Sequence, residues 1–108
     1  MSQITHIWKV PLRVKIWRSR GAYIGVINDA ATIELLQPYI GKPITLEIAG
    51  VAINAKLTKL PQKGINYLAI FLPRRLAPTW DELRQKAELH NAIVTIIEGN
   101  DNINNQHG

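Results

Sequence analysis

The side chains of this chain that offer chemistry are mostly cations, and the chemistry they suit is phosphate recognition. Residues 1–28 carry Lys9, Arg13, Lys15, Arg18 and Arg20 and no acid. Residues 48–80 carry Lys56, Lys59, Lys63, Arg74 and Arg75, again with no acid. Acids gather in the alternate stretches: Asp29, Glu34 and Glu47, then Asp81, Glu82, Glu88, Glu98 and Asp101. The net charge is +5 over 108 residues. An ordinary solvated surface mixes both signs. Segregation of this kind sets up a positive field that draws polyanions, chiefly nucleic acid.

Catalysis has few candidates. The histidines, His6, His90 and His107, have no helical ligand spacing, and no His/Asp/Glu group follows a metal pattern. Cysteine is absent, which removes disulfides, thiolate metal sites and a cysteine nucleophile, and suits a cytoplasmic setting. Ser2 and Ser19 stand in no nucleophile-elbow context, and there is no phosphate loop or GxGxxG. Asp81 and Glu82 are expected in the first turn of a helix, where carboxylates favour the dipole. The expectation is therefore a non-enzyme with no cofactor and no metal. No apolar run reaches membrane-spanning length, and the first residues lack the pattern of a signal peptide.

Stepping along the chain gives the elements that must carry the cations. Residues 12–18 alternate: Leu12, Val14 and Ile16 point one way, Arg13, Lys15 and Trp17 the other. That is a half-buried strand with a basic outer face. Ser19-Arg20-Gly21 turns it into a second strand over 22–27, forming a hairpin. Asn28 or Asp29 caps a helix whose buried stripe is Ile33, Leu36 and Ile40, with Leu35 and Tyr39 beside them. Pro38 stops it near Gln37. Strands 44–49 and 51–60 follow, joined at Gly50.

Pro61-Gln62-Lys63-Gly64 makes a second hairpin turn into strand 66–72, which is apolar enough to be buried on both faces. Thr79-Trp80-Asp81-Glu82 reads as a capping box, with Trp80, Leu83 and Ala87 on the inner face of its helix. Residues 92–98 form the last strand. The pattern is β-β-α-β twice, over about 12–50 and 55–99, with an extra leading strand at 4–10. Tyr23 corresponds to Tyr67, and Gly50 to Gly99. The fold class expected is mainly β with two short helices (α+β): a small closed or partly closed barrel in one domain over 1–99. Residues 100–108 have almost nothing to bury and are expected to be disordered.

Trp17 is the sharpest single residue. Among cations it suits stacking on a base or ribose, but a core position or a self-association surface accounts for it equally well. Arg74-Arg75, on a loop stiffened by Pro73 and Pro78, suit holding a phosphate, with a solvated loop as the alternative.

The segment Leu72-Pro73-Arg74-Arg75-Leu76 resembles the helix start of AbrB-type, or cradle-loop, barrels. The run Gly41-Lys42-Pro43-Ile44-Thr45-Leu46-Glu47-Ile48 is similar to their closing strand, and Arg20-Gly21 to their basic turn. Two departures stand out: Ile27-Asn28-Asp29 where the family has proline, and His90-Asn91-Ala92 in place of its glycine. The resemblance implies a fused dimer in one polypeptide that binds DNA through hairpin arginines. Arg18, Arg20, Lys63, Arg74 and Arg75 fall near the family's basic positions.

These readings converge on a nucleic-acid-binding protein, with DNA favoured over RNA and duplex over single strand. Its expected surface is Arg13, Lys15, Trp17, Arg18, Arg20, Lys56, Lys59, Lys63, Arg74 and Arg75. The alternative is an interaction module that docks on a larger assembly without touching nucleic acid; a homodimer or protein partner is left open. One prediction concerns the tail. Deleting residues 100–108 is expected to leave the melting temperature within a few degrees of the parent chain, since the segment lacks apolar anchors.

Overall fold

The computed structural model describes residues 5–99, so the expectation of a disordered tail lies outside the described residues. The fold is mainly β, with six antiparallel strands and two short helices. The strands are β1 (Thr5–Ser19), β2 (Ala22–Ile27), β3 (Pro43–Ile48), β4 (Val51–Gln62), β5 (Ile65–Leu72) and β6 (His90–Gly99). Pairing runs in a ring, β1-β2-β5-β4-β3-β6 and back to β1. Strand β1 makes this possible by changing partner. Thr5 to Val14 pair with β6, and Lys15 to Ser19 pair with β2.

The leading strand and the strand over 12–18 are thus one element, with Pro11 inside it. The proline is tolerated because β1 has only β6 beside it at that level, so one flank of the ladder needs no donor there. Even-numbered residues in the middle of β1 and β6 face the ring interior. Leu12, Val14 and Ile16 pack there with Ala92, Val94 and Ile96, against Leu46, Ile48, Ile53, Leu57, Leu68 and Ile70. Alternation is the cause: period two puts every second side chain on the dry face.

All three two-residue hairpin turns share one conformation. Arg20-Gly21, Ala49-Gly50 and Lys63-Gly64 have positive φ at both residues, between 49° and 82°. Such turns match the right-handed twist of the flanking strands. Glycine takes this region freely, whereas Arg20, Ala49 and Lys63 hold it at a cost of about 1–2 kcal/mol each. Lys63-Gly64 alone is the second hairpin turn; Pro61 and Gln62 still belong to β4.

Helix α1 (Ala30–Leu36) begins at Asp29, whose carboxylate accepts from the Thr32 amide at 3.0 Å and from its hydroxyl at 2.7 Å. A single 3₁₀ turn, Gln37–Tyr39, ends it at Pro38. Leu36 is fully buried, with Ile33, Tyr39 and Ile40 packed partly behind it. Leu35 is exposed, because it sits one step round the helix from Leu36.

Helix α2 (Ala77–Lys86) differs from the capping-box expectation. A 3₁₀ turn, Arg74–Leu76, leads straight into it, and Pro78 lies in its first turn, where a missing N–H is harmless. Thr79 is therefore inside the helix, and Asp81 and Glu82 fall past its first turn. Trp80 and Leu83 are buried as expected, while Ala87 is the exposed C-cap. The Trp80 indole donates to the Pro73 carbonyl at 2.8 Å.

The expected match of Tyr23 with Tyr67 does not hold. Counted from their turns, Tyr23 is three residues past Arg20 and Tyr67 four past Lys63. One extra step reverses the face. Tyr23 points into the core, and Tyr67 points outward. Replacing Trp80 with alanine is expected to cost about 3–5 kcal/mol, as it empties core volume and orphans the Pro73 carbonyl. Denaturant unfolding checks this.

Candidate nucleic-acid interface

The pairing of β2 with β5 decides where the cations stand. Tyr23 lies opposite Leu72 and Ile27 opposite Leu68, so the two strands run head to tail. The Arg20-Gly21 turn is at one end of this sheet, and the Lys63-Gly64 turn is at the other. Roughly eleven residue steps separate them, which at about 3.3 Å each is about 36 Å.

At the first end the structure gathers arginines from separate segments. Arg18 and Arg20 belong to the β1–β2 hairpin. The Arg74 guanidinium comes in from the loop after β5, where a Cβ on Gly21 would meet its Nη2 at 3.8 Å. Arg75 follows it in the same 3₁₀ turn. Arg18 is held over the Tyr23 ring, 5.6 Å from the centroid. Tyr23 in turn donates its hydroxyl to Asp81 at 2.8 Å, and Arg84 donates to the same carboxylate at 3.4 Å. Asp81 thus ties α2 to the hairpin, a role its position in the chain did not reveal. That hydrogen bond, with burial and the nearby carboxylate charge, raises the Tyr23 hydroxyl pKa above its usual value, against a smaller opposing pull from Arg18.

Toward the second end stand Lys63, at the turn, and Lys59, four residues back along β4 opposite Leu68. Arg13, Lys56 and Lys15 are set apart from both tips. Arg13 lies across from Asn91 on the β1–β6 pair, and Lys56 across from Pro43 on the β3–β4 pair. Lys15 is engaged with Glu88 at 3.0 Å. The remaining ion pairs among the described residues are Arg84 with Asp81 and Lys86 with Glu82, so the acids of the second half are partly spent on α2's own cations. Among the described residues, Arg18, Arg20, Lys59, Lys63, Arg74 and Arg75 have no carboxylate at ion-pair distance.

Trp17 sits half-buried on a second, smaller core cluster. On the outer face of the sheet, Ile24, Val26 and Ala69 form a second small apolar cluster, with Trp17, Leu60 and Tyr67 packed over it. Trp17 and Tyr67 meet edge to face, with centroids 6.1 Å apart and planes at 82°. The rings lean together across the small side chains and so bury Val26 and Ala69 on a surface that would otherwise be wet. Phe71, on the same outward face of β5, is 54% exposed, so this strand is not dry on both sides.

His90 caps the end of α2: its Nε2–H donates to the carbonyls of Leu83 at 2.7 Å and Ala87 at 3.1 Å. Among the described residues no polar or charged side chain is buried, and no group of His, Asp and Glu is arranged to hold a metal. No described helix is long and apolar enough to cross a membrane. No protein-family model, curated protein or solved structure matches the chain.

Two outcomes follow from this geometry. A raised tyrosine pKa means that the unfolded chain gives up its proton first. Stability is therefore full below about pH 10 and falls as pH rises beyond it. Tyr39, also raised, by burial and by Glu98, adds to that fall. Melting curves at pH 8 and pH 11 should show a smaller alkaline loss for Tyr23→Phe than for the parent; equal losses would contradict the Asp81 tie. For Trp17→Ala, a half-buried satellite position predicts a loss of about 2 kcal/mol, less than at Trp80.

Proposed function

We propose that this chain is a non-enzymatic nucleic-acid-binding protein that holds duplex DNA through phosphate contacts at its two basic hairpin tips. The reading rests on one observation: two basic turns stand at opposite ends of one sheet, joined by a strand path of about 36 Å. One turn of B-form duplex is about 34–36 Å, so both tips meet equivalent backbone positions on the same side of the double helix. Arg18, Arg20, Arg74 and Arg75 serve one contact, and Lys59 and Lys63 the other. Cations without a carboxylate at ion-pair distance need no internal bond broken before they meet a phosphate.

In this reading the ring is a small closed barrel made of two β-β-α-β units related by a two-fold axis between β2 and β5. Several facts support it. Exchanging β1, β2 and β3 for β4, β5 and β6 leaves the ring order unchanged. The satellite cluster repeats too: Trp17 with Leu60, Ile24 with Tyr67 and Val26 with Ala69 are each 43 positions apart, as are the turns Arg20-Gly21 and Lys63-Gly64. A two-fold protein surface suits a duplex backbone, which has two-fold symmetry of its own. The AbrB-type resemblance agrees with such a fused dimer.

Salt titration tests the reading. Affinity for a duplex of about 20 base pairs should fall log-linearly with salt, at about 0.9 units per phosphate contacted. Arg18→Ala with Arg20→Ala should flatten that slope by about two units, and Lys59→Ala with Lys63→Ala by a similar amount, for unrelated sequences alike. Binding at full strength by both double variants would overturn the proposal. No shift with any nucleic acid at low salt would favour the protein-docking alternative.

A further inference from the structure

We propose that the outer face of the β1–β6 ribbon, together with the groove beneath it, is the contact surface for a second copy of this chain. Three large aliphatic side chains stand in solvent on that one face: Ile7 (60% exposed), Ile97 (64%) and Ile93 (38%). Register makes them a stripe. Ile7 lies directly opposite Ile97, and Pro11 directly opposite Ile93, with Lys9 and Thr95 between the pairs. Odd-numbered positions of both strands point this way, so the stripe follows from alternation and not from a local irregularity. Its lower end opens into a groove of about 670 Å³, lined by Pro11, Arg13, Glu47, Ala52, Asn91 and Ile93 among others. Contiguous exposed apolar surface on one sheet face is the mark of an association site.

Charge identifies the occupant. The groove carries one cation, Arg13, and one anion, Glu47, and among the described residues neither has an ion-pair partner. With Lys9 on the stripe above the groove, this surface mixes both signs, which suits neither a polyanion nor a polycation. It fits a copy of itself: in a two-fold contact with the axis along β6, each Arg13 comes beside the partner's Glu47, and the Ile93 and Ile97 side chains of the two copies lie against each other. The hairpin tips, which hold the uncompensated positive charge, belong to β1–β2 and β4–β5 and stay outside this contact. The proposal stands independently of the nucleic-acid reading.

Sedimentation equilibrium of the full chain, without nucleic acid, provides the test. The expected result is a dimer that persists at high salt, since most of its surface is apolar. Ile97→Asp should weaken dimerisation by at least about tenfold. Because Ile97 is exposed, the circular dichroism spectrum should not change. Arg13→Glu alone and Glu47→Arg alone should each weaken it, and the two together should restore it, as a double-mutant cycle requires of groups in contact. A parent chain that remains monomeric at high concentration would overturn the proposal. So would a dimer indifferent to Ile97→Asp, or a double charge reversal no better than the single ones.

Discussion

The antiparallel pairing of β2 with β5 is the constraint on which the rest of this molecule depends. Local hairpins account for β1–β2, β3–β4 and β4–β5, but the ring closes only through three long-range pairings, β2 with β5, β3 with β6 and β1 with β6. Head-to-tail alignment at β2–β5 sends the two hairpin tips to opposite ends of the sheet. It also brings α2, which follows β5, beside the first hairpin. Tyr23 and Asp81 can meet only because of that exchange, 58 positions apart in the chain.

Each tip is stiffened differently. A turn with two left-handed residues is short and fixes where the backbone at its first position stands. Arg20 and Lys63 occupy that position in the two basic turns. Around Arg20 the protein adds a second layer: Arg18 above the Tyr23 ring, Tyr23 on Asp81, and Arg74 beside Gly21. On the sheet's outer face, the Trp17–Tyr67 contact seals Val26 and Ala69. Without it Val26 and Ala69, in the middle of the strands that join the tips, would be wet on their outer side.

Much of the fold was legible because alternation and turn chemistry are local signals. Leu12, Val14 and Ile16 were readable as inward-facing from period two alone, and Asp29 as a cap from its short oxygen. What failed depended on neighbours outside the local window. The leading strand at 4–10 and the strand over 12–18 looked like two where there is one, because the change of partner within β1 is a property of the ring. Thr79 and Glu82 had the spacing of a capping box, but Pro78 starts the helix earlier. Tyr23 and Tyr67 looked equivalent until their turns fixed the count. The basic residues were all visible as a group. Their sorting into Arg18, Arg20, Arg74 and Arg75 at one tip, Lys59 and Lys63 at the other, and Arg13, Lys15 and Lys56 away from both is set by strand register and by Glu88, which no local pattern encodes.

Both tips must meet the same ligand at once. Amide chemical-shift mapping of the labelled chain, during titration with a 16-base-pair duplex, asks this directly. Signals from residues 18–22 and 63–65 should move together and saturate at the same duplex concentration, while those of Ile93 and Ile97 stay in place. Movement at one tip only, or at neither, would contradict the proposed two-tip contact.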